Sequence, residues 1–358
     1  MHIKYDFYKN HKLSLEKDIY MNKGLSGIVN TGNKCFSNSI IHCLAHTIKL
    51  TDYLLSPRYK KDYIESNFKH KKQYEVVLNY INILHKIWEK NELITPNSFY
   101  KVISKNLLKY NNNDQHDSHE FLIDFLDVLH NVLSYKINVN INGEIKNDHD
   151  ELMKKSFIFW SKMYQNSYSE IIKIFNGLTL NSIQCNHCKY ESDNIFESYN
   201  CLNINLNNSN TLNSCFDNYF NNTNINDWKC EKCDNYGCTK SLKLWSLPNY
   251  LIIQLKRFDE NGNKINTFID FPIDDLDITN HISNKKKDPN HYIYSLYAVN
   301  YHSGDIKNGH YWSSIKSLDN TWYTFNDGNI NKINNINLKN HIVTSNAYIL
   351  FYYKKFIL

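Results

Sequence analysis

Residues 27–39 read Gly27-Ile28-Val29-Asn30-Thr31-Gly32-Asn33-Lys34-Cys35-Phe36-Ser37-Asn38-Ser39. Gly and Asn accept the backbone angles of a tight turn. An apolar helix follows at once, since Ile41, Leu44, Ile48 and Leu54 keep helical spacing across Asn38 to Leu55. Cys35 therefore stands where turn becomes helix. There it meets unpaired backbone N–H groups and the positive end of the helix dipole, and both favour a thiolate over a thiol. A nucleophilic cysteine needs that setting. A small thiol buried in a structural turn would look the same.

Outward from this stretch, the first half of the chain reads as helical. Val77, Ile81, Leu84 and Trp88 form one face of a helix over Tyr74 to Glu89. Thr95-Pro96 suits an N-cap followed by Pro at the first helical position. Asp117 and Glu120 resemble a capping box ahead of the apolar face Phe121, Leu122, Phe125, Leu126 and Leu129. From about Gly177 the pattern changes to short β-rich runs: Gly177 to Gln184, Leu242 to Phe258, Tyr292 to Tyr301, His310 to Lys316, Trp322 to Asn326 and Ala347 to Tyr353. Helices first and sheet afterwards is an α+β arrangement. Residues 1–23 read as an N-terminal extension, partly helical near Leu13 to Tyr20. The Asn-rich tracts at 111–113, 138–147 and 203–226 read as solvated loops.

Composition narrows the class. The 358 residues are 42% hydrophobic and 22% charged, enough to bury a sizeable core. Only 10 Gly and 5 Pro exclude collagen-like and Pro-rich linker chains. A formal charge of +5 is too mild to argue for nucleic acid or a membrane surface as partner. No apolar run approaches the roughly 18 residues of a membrane helix, and Met1 to Tyr8 lacks the pattern of a secretory signal. The expected location is the cytoplasm or nucleus, where thiols stay reduced, so the nine Cys call for a reading other than disulfides.

Four of them supply it. Cys185-Asn-His-Cys188 and Cys230-Glu-Lys-Cys233 are two Cys-x-x-Cys pairs, each aiming two sulfurs at one ion. Together they offer a tetrahedral structural zinc site at the tips of two long hairpins. Cys43, Cys201, Cys215 and Cys238 read as packing or surface thiols, with Cys238 the one spare ligand. Two later segments complement Cys35. Asn308-Gly309-His310-Tyr311-Trp312 places a histidine, the usual acceptor of a thiol proton, on a strand edge. Trp322-Tyr-Thr-Phe325-Asn326-Asp327-Gly328 ends a strand with two polar acceptors, one hairpin after His310. Cys, then His, then Asn or Asp is the order of the cysteine-protease triad, although Asn-Asp-Gly is also plain turn chemistry.

These segments together resemble the ubiquitin-specific protease family of deubiquitinases. Residues 27–44 are similar to its Cys box, Gly-Leu-x-Asn-x-Gly-Asn-Thr-Cys-Phe/Tyr-Met-Asn-Ser-x-Leu-Gln-x-Leu. Gln115-His-Asp117-Ser-His-Glu120-Phe121-Leu122 resembles its Gln-Gln-Asp-Ala-x-Glu-Phe-Leu helix start. Leu251-Ile-Ile-Gln-Leu255-Lys256-Arg257-Phe258 resembles its Leu-x-x-x-Leu-Lys-Arg-Phe strand. Tyr297 to Gly304 with Gly309-His310-Tyr311 resembles its His box, and Ala347 to Tyr352 its closing strand. The matches run in family order from about residue 24 to 353. Four departures stand out: Lys34 for Thr, Ser37 for Met, His42 for Gln and His116 for Gln.

The resemblance implies a papain-like fold over residues 24–358. It has a helical thumb at about 24–174, zinc-stapled β fingers at about 175–247 and a β-sheet palm at about 248–358. It implies Cys35 as nucleophile, His310 as general base and Asn326 as the residue orienting it, with Asp327 assisting. It also implies Asn30 as an oxyanion donor beside the Cys35 backbone N–H. Asp117 and Glu120 would pair with the arginines of the ubiquitin tail, and Gln115, Gly309 and Tyr311 would line the channel for its terminal glycines. Zinc on Cys185, Cys188, Cys230 and Cys233 would be structural. The expected function is thiol-dependent hydrolysis of the isopeptide bond after the last Gly of ubiquitin, by a monomer acting on ubiquitinated proteins. A protease for a ubiquitin-like modifier, a ubiquitin-binding module without activity and a zinc-ribbon nucleic-acid binder are the rivals.

Overall fold

The computed structural model describes residues 20–65, 71–206, 209–283, 292–305 and 308–355. Apart from Tyr20, the helical stretch expected near Leu13 to Tyr20 lies outside them. Helices dominate the first half: α1 (Cys35–Ala45), α2 (Ile48–Leu55), α3 (Arg58–Glu65), α4 (Lys71–Lys90), α5 (Asn97–Asn106), α6 (Ser118–Leu133), α7 (Asp148–Tyr164) and α8 (Glu170–Phe175). Two short ones, α9 (Leu212–Tyr219) and α10 (Leu338–Ile342), interrupt the β-rich half.

Helix α1 begins at Cys35 itself, and all eleven of its residues are buried. The apolar pattern of 38–55 forms two helices rather than one. Thr47 leaves the helical region with ψ 86, because its hydroxyl bonds the Tyr297 hydroxyl at 2.7 Å and the Cys43 carbonyl at 3.3 Å. Val77, Ile81, Leu84 and Trp88 are buried along α4 as their spacing predicts. Helix α5 starts later than expected. Pro96 occupies the cap position, its carbonyl accepts the Tyr100 N–H at 3.0 Å, and Thr95 makes no cap. At α6 the capping box is half formed. The Asp117 carboxylate accepts the His119 and Glu120 N–H groups, but the Glu120 side chain pairs with Lys109.

The Asn-rich tracts carry more structure than loops would. Asn147 caps α7 by accepting the Asp150 N–H at 3.0 Å. The 203–226 tract holds α9, entered through a capping box of Thr211 and Ser214.

Twelve strands form two sheets among the described residues. They are β1 (Gly177–Cys185), β2 (Glu191–Tyr199), β3 (Leu202–Asn205), β4 (Thr223–Lys229), β5 (Tyr236–Ser246), β6 (Tyr250–Lys256), β7 (Leu276–Asp277), β8 (Ile293–Gly304), β9 (Gly309–Lys316), β10 (Trp322–Asn326), β11 (Asn329–Lys332) and β12 (Ala347–Lys354). A four-stranded sheet runs β2-β1-β5-β4, and an eight-stranded sheet runs β11-β10-β9-β8-β12-β6-β3 with β7 on β8. The run expected as one strand from Leu242 to Phe258 is split at Leu247-Pro248-Asn249, so β5 serves the first sheet and β6 the second. The large sheet is covered on both faces. Along β6 and β12, Ile252, Ile349 and Phe351 join the core under the helices, while Leu251, Ile253, Leu255 and Leu350 join the core on the other side. Strands buried on both faces read as continuous apolar runs, which these are.

Two details fix the site. Arg257, buried and without a carboxylate partner among the described residues, donates to the carbonyls of Ala347, Ile265 and Thr267 and so ties β6 to β12 and the 265–267 segment. The loop ahead of α1 is clamped from two sides. The Ile94 N–H donates to the Gly27 carbonyl and the Val29 N–H to the Ile94 carbonyl, both at 2.8 Å, while the Ile28 N–H donates to the Asp327 carbonyl at 3.0 Å. A Cβ on Gly27 would lie 2.3 Å from the Gly328 carbonyl oxygen. Backbone cannot yield there as a side chain can. Gly27→Ala is therefore expected to destabilise the fold by about 2 kcal/mol, read as a lower midpoint in chemical denaturation; an unchanged midpoint would contradict the close approach.

Candidate active site and four-cysteine cluster

Helix α1 packs against β8, β9 and β10, which brings residues 35 and 310 together. His310 lies beside the Cys35 sulfur, which favours the protonated imidazole. Its Nε2 donates to Asn326 Oδ1 at 2.7 Å, which leaves Nδ1 to face the thiol. The register explains the Asn326 contact: β9 and β10 are antiparallel neighbours, with Phe325 opposite Ser313, so the end of β10 comes beside the start of β9. The Cys35 sulfur, first, and then the Asn326 bond raise the His310 pKa to about 9 against the opposing effect of burial.

Asp327, in the left-handed region at φ 50, ties this edge back to the cysteine loop. Its Oδ1 accepts the Asn38 amide at 2.8 Å, and its Oδ2 accepts the Asn30 amide at 3.1 Å. The Asn30 Oδ1 accepts the N–H of Gly32 at 3.2 Å and of Lys34 at 3.0 Å. This shapes the turn and holds the Asn30 amide nitrogen beside Asp327.

The residues expected along the channel also gather. Asp117 Oδ1 caps α6, and Oδ2 accepts the Tyr348 hydroxyl at 2.6 Å and the Tyr311 hydroxyl at 3.5 Å. Gln115 Oε1 accepts the Gly309 N–H at 2.6 Å, just before His310. Only Gly fits at 309, since a Cβ would sit 2.1 Å from His302 Nε2. Glu120 is exposed and ion-paired with Lys109.

The departures from the family pattern also have visible partners. Lys34 Nζ donates to the Asn112 carbonyl at 2.8 Å, and burial lowers its pKa. His116 Nε2 meets Asn112 Oδ1 at 2.7 Å. His42 is buried against the Phe325 ring, and burial lowers it to about 3, so it is neutral. Sequence reasoning missed Asn38 and Tyr100 as parts of the site. Asn38 lies three residues after Cys35, hence on the same helix face, a usable signal; Tyr100 lies on α5 and gave none.

The second cluster sits at the hairpin tips. The sulfur atoms of Cys185, Cys188, Cys230 and Cys233 all lie within 4.8 Å of one another. The two knuckles are built alike. The Lys189 and Asp234 N–H groups return to the carbonyls of Cys185 and Cys230, and the Cys185 and Cys230 N–H groups donate to Tyr190 and Asn235. Lys189 and Asp234 both take positive φ. Across the cluster, Cys185 and Cys233 are 3.7 Å apart, as are Cys188 and Cys230. A tetrahedral ion with metal–sulfur bonds of about 2.3 Å needs sulfurs about 3.8 Å apart, so the four thiols fit a metal ion. Cys238 lies opposite Cys185 in the β1–β5 register but outside the cluster. Burial pushes up the thiols of Cys43, Cys201, Cys215 and Cys238, so these four are packing residues rather than ready thiolates.

Comparison with known proteins agrees with this geometry. The family model described as "Ubiquitin carboxyl-terminal hydrolase" matches residues 26–352. "Ubiquitin carboxyl-terminal hydrolase 2" of Bos taurus is 31% identical over 92% of this chain and 55% of its own length. Its Gallus gallus namesake is 30% identical over 92% of this chain and 93% of its own. The chain spans about half the length of several curated relatives it matches. The solved "SAGA Ubp8/Sgf11/Sus1/Sgf73 DUB module bound to ubiquitin aldehyde" contains a chain that superposes with a TM-score of 0.72 at 23% identity, covering 93% of this chain and 70% of that one. The α+β, papain-like fold is the one expected. Among the described residues no helix is long and apolar enough to cross a membrane.

The His310 environment carries a pH signature. A histidine raised from 6.5 to about 9 lends stability in full below 6.5, and that stability is lost as pH rises through 9. In a ring-carbon NMR titration His310 should titrate near 9 and fall back toward 6.5 in Cys35→Ala, because Cys35 is the first cause. An ordinary value in both proteins would contradict the contact.

Proposed function

The chain belongs to the ubiquitin carboxyl-terminal hydrolase family, and from that membership we propose that it is a thiol-dependent deubiquitinase. It cleaves the isopeptide bond after the last Gly of ubiquitin on conjugates or chains. The observation that carries the proposal is the linked set of Cys35, His310 and Asn326 at the start of a buried helix.

The chemistry follows from that set. Asn326 Oδ1 fixes the imidazole with its Nδ1 toward sulfur, so the thiol proton passes to His310. The Cys35 thiolate attacks the carbonyl carbon, and the charge that develops on oxygen meets the Cys35 backbone N–H and the Asn30 amide. Such donors contribute about 10²–10³ in rate each. His310, which at about 9 keeps its proton at neutral pH, gives it to the leaving lysine amine. A water, deprotonated by the same imidazole, then hydrolyses the thioester and releases ubiquitin with a free carboxylate. Asp327 supports both partners through Asn30 and Asn38.

The tail would run between the helical half, as thumb, and the large sheet, as palm, past Gln115, Gly309 and Tyr311. Both oxygens of Asp117 already accept two N–H groups and two hydroxyls, near a carboxylate's capacity. A tail arginine would reach it most readily by displacing the 3.5 Å Tyr311 bond. Exposed Glu120 would bind a guanidinium in exchange for Lys109. The four-stranded sheet would be the fingers, and the metal on its cysteines zinc, in a structural role remote from the chemistry.

Two outcomes test these roles. Cys35→Ala should abolish cleavage of a ubiquitin C-terminal amide while ubiquitin still binds; residual turnover near the wild-type rate would refute the nucleophile. Cys185→Ser should lower bound zinc, measured by elemental analysis, and the melting temperature together; full zinc content with unchanged melting would refute the metal site.

A further inference from the structure

The contacts around Asn38 form a directed chain. The Tyr100 hydroxyl donates to Asn38 Oδ1, and its oxygen lies 2.9 Å from the Ser37 hydroxyl, whose one proton it shares with the Lys34 carbonyl, also at 2.9 Å. The Asn38 amide then donates to Asp327 Oδ1 at 2.8 Å and to the Ile28 carbonyl at 3.3 Å. Asp327 Oδ2 in turn accepts the Asn30 amide. The oxygen and nitrogen ends of an asparagine amide are close in shape, so its partners decide which way it points. Tyr100 supplies the donor that selects the oxygen end. Without that donor, Asn38 Oδ1 would be a buried acceptor left unpaired.

The pairing is a feature of this chain. Ser37 stands where the family pattern has Met, and a thioether has no proton to give a phenol. Burial, opposed by the Ser37 bond and aided by the charges at Asp327 and Cys35, raises the Tyr100 pKa, so the hydroxyl stays a donor.

We propose that Tyr100 is a positioning residue for the oxyanion side of this site: through Asn38 and Asp327 it sets the orientation of the Asn30 amide. The proposal rests on the reading of Cys35 as nucleophile and Asn30 as oxyanion donor. It makes helix α5, which carries no reacting group, part of the catalytic geometry.

A double-mutant cycle on ubiquitin C-terminal amide cleavage by the full chain tests it. Tyr100→Phe should lower kcat about tenfold with KM unchanged, short of the 10²–10³ of a lost oxyanion donor. Added to Asn30→Ala, it should cost nothing more, because its target is already gone. Ser37→Ala should reproduce part of the loss and serves as the probe if Tyr100→Phe fails to fold. A wild-type kcat, or losses that multiply in the double variant, would overturn the proposal. An inactive wild-type protein would instead overturn the functional reading. In that case the Asn30 side-chain amide signal in NMR decides the positioning claim: a shift in Tyr100→Phe supports it, and an unmoved signal overturns it.

Discussion

Helix α1 has no solvent face. Each residue from Cys35 to Ala45 is buried, with helices on one side and the large sheet on the other. A helix enclosed in this way cannot rotate or slide without breaking close packing on both sides. Its first residue is therefore held in place, and so is the meeting of Cys35 with a histidine some 275 residues later in the chain. His310 is supplied at the start of β9, a strand that packs directly on α1. The proximity of Cys35 and His310 is thus a consequence of how one helix is enclosed, and the loops around it only refine the geometry.

That refinement is a matter of hydrogen bonds in small compass. Asp327 joins the end of β10 to the cysteine loop through Asn30 and to α1 through Asn38. Gly27 allows the two backbones to touch, and Gly309 allows β9 to pass His302. The four-cysteine cluster is a separate device. It sits at the tips of β1–β2 and β4–β5, where hairpins with exposed strands such as β4 have little core of their own, and a metal ion held by the four thiols would cross-link what packing does not.

Much of this was legible because its causes are local or strongly patterned. Strands buried on both faces show as apolar runs, and the edges of β9, β10 and β12 followed from them within a residue or two. Cysteine spacing marked the two knuckles, and the turn-to-helix transition marked Cys35. What escaped the sequence was set by tertiary partners. The break at Thr47 depends on Tyr297, the missing half of the capping box on Lys109, and the role of Tyr100 on a serine 63 residues away. Helix α9 was hidden by asparagine composition, which signals loops on average, although Thr211 and Ser214 build its capping box.

The account stands on Cys35 being the one sulfur aligned for attack on the ubiquitin carboxyl end. The direct measurement is to expose the full chain to ubiquitin bearing a C-terminal vinyl electrophile and map the adduct by peptide mass spectrometry. A single adduct on Cys35, with the other eight cysteines unmodified, is the predicted result. No adduct, or one on any other cysteine, would contradict it.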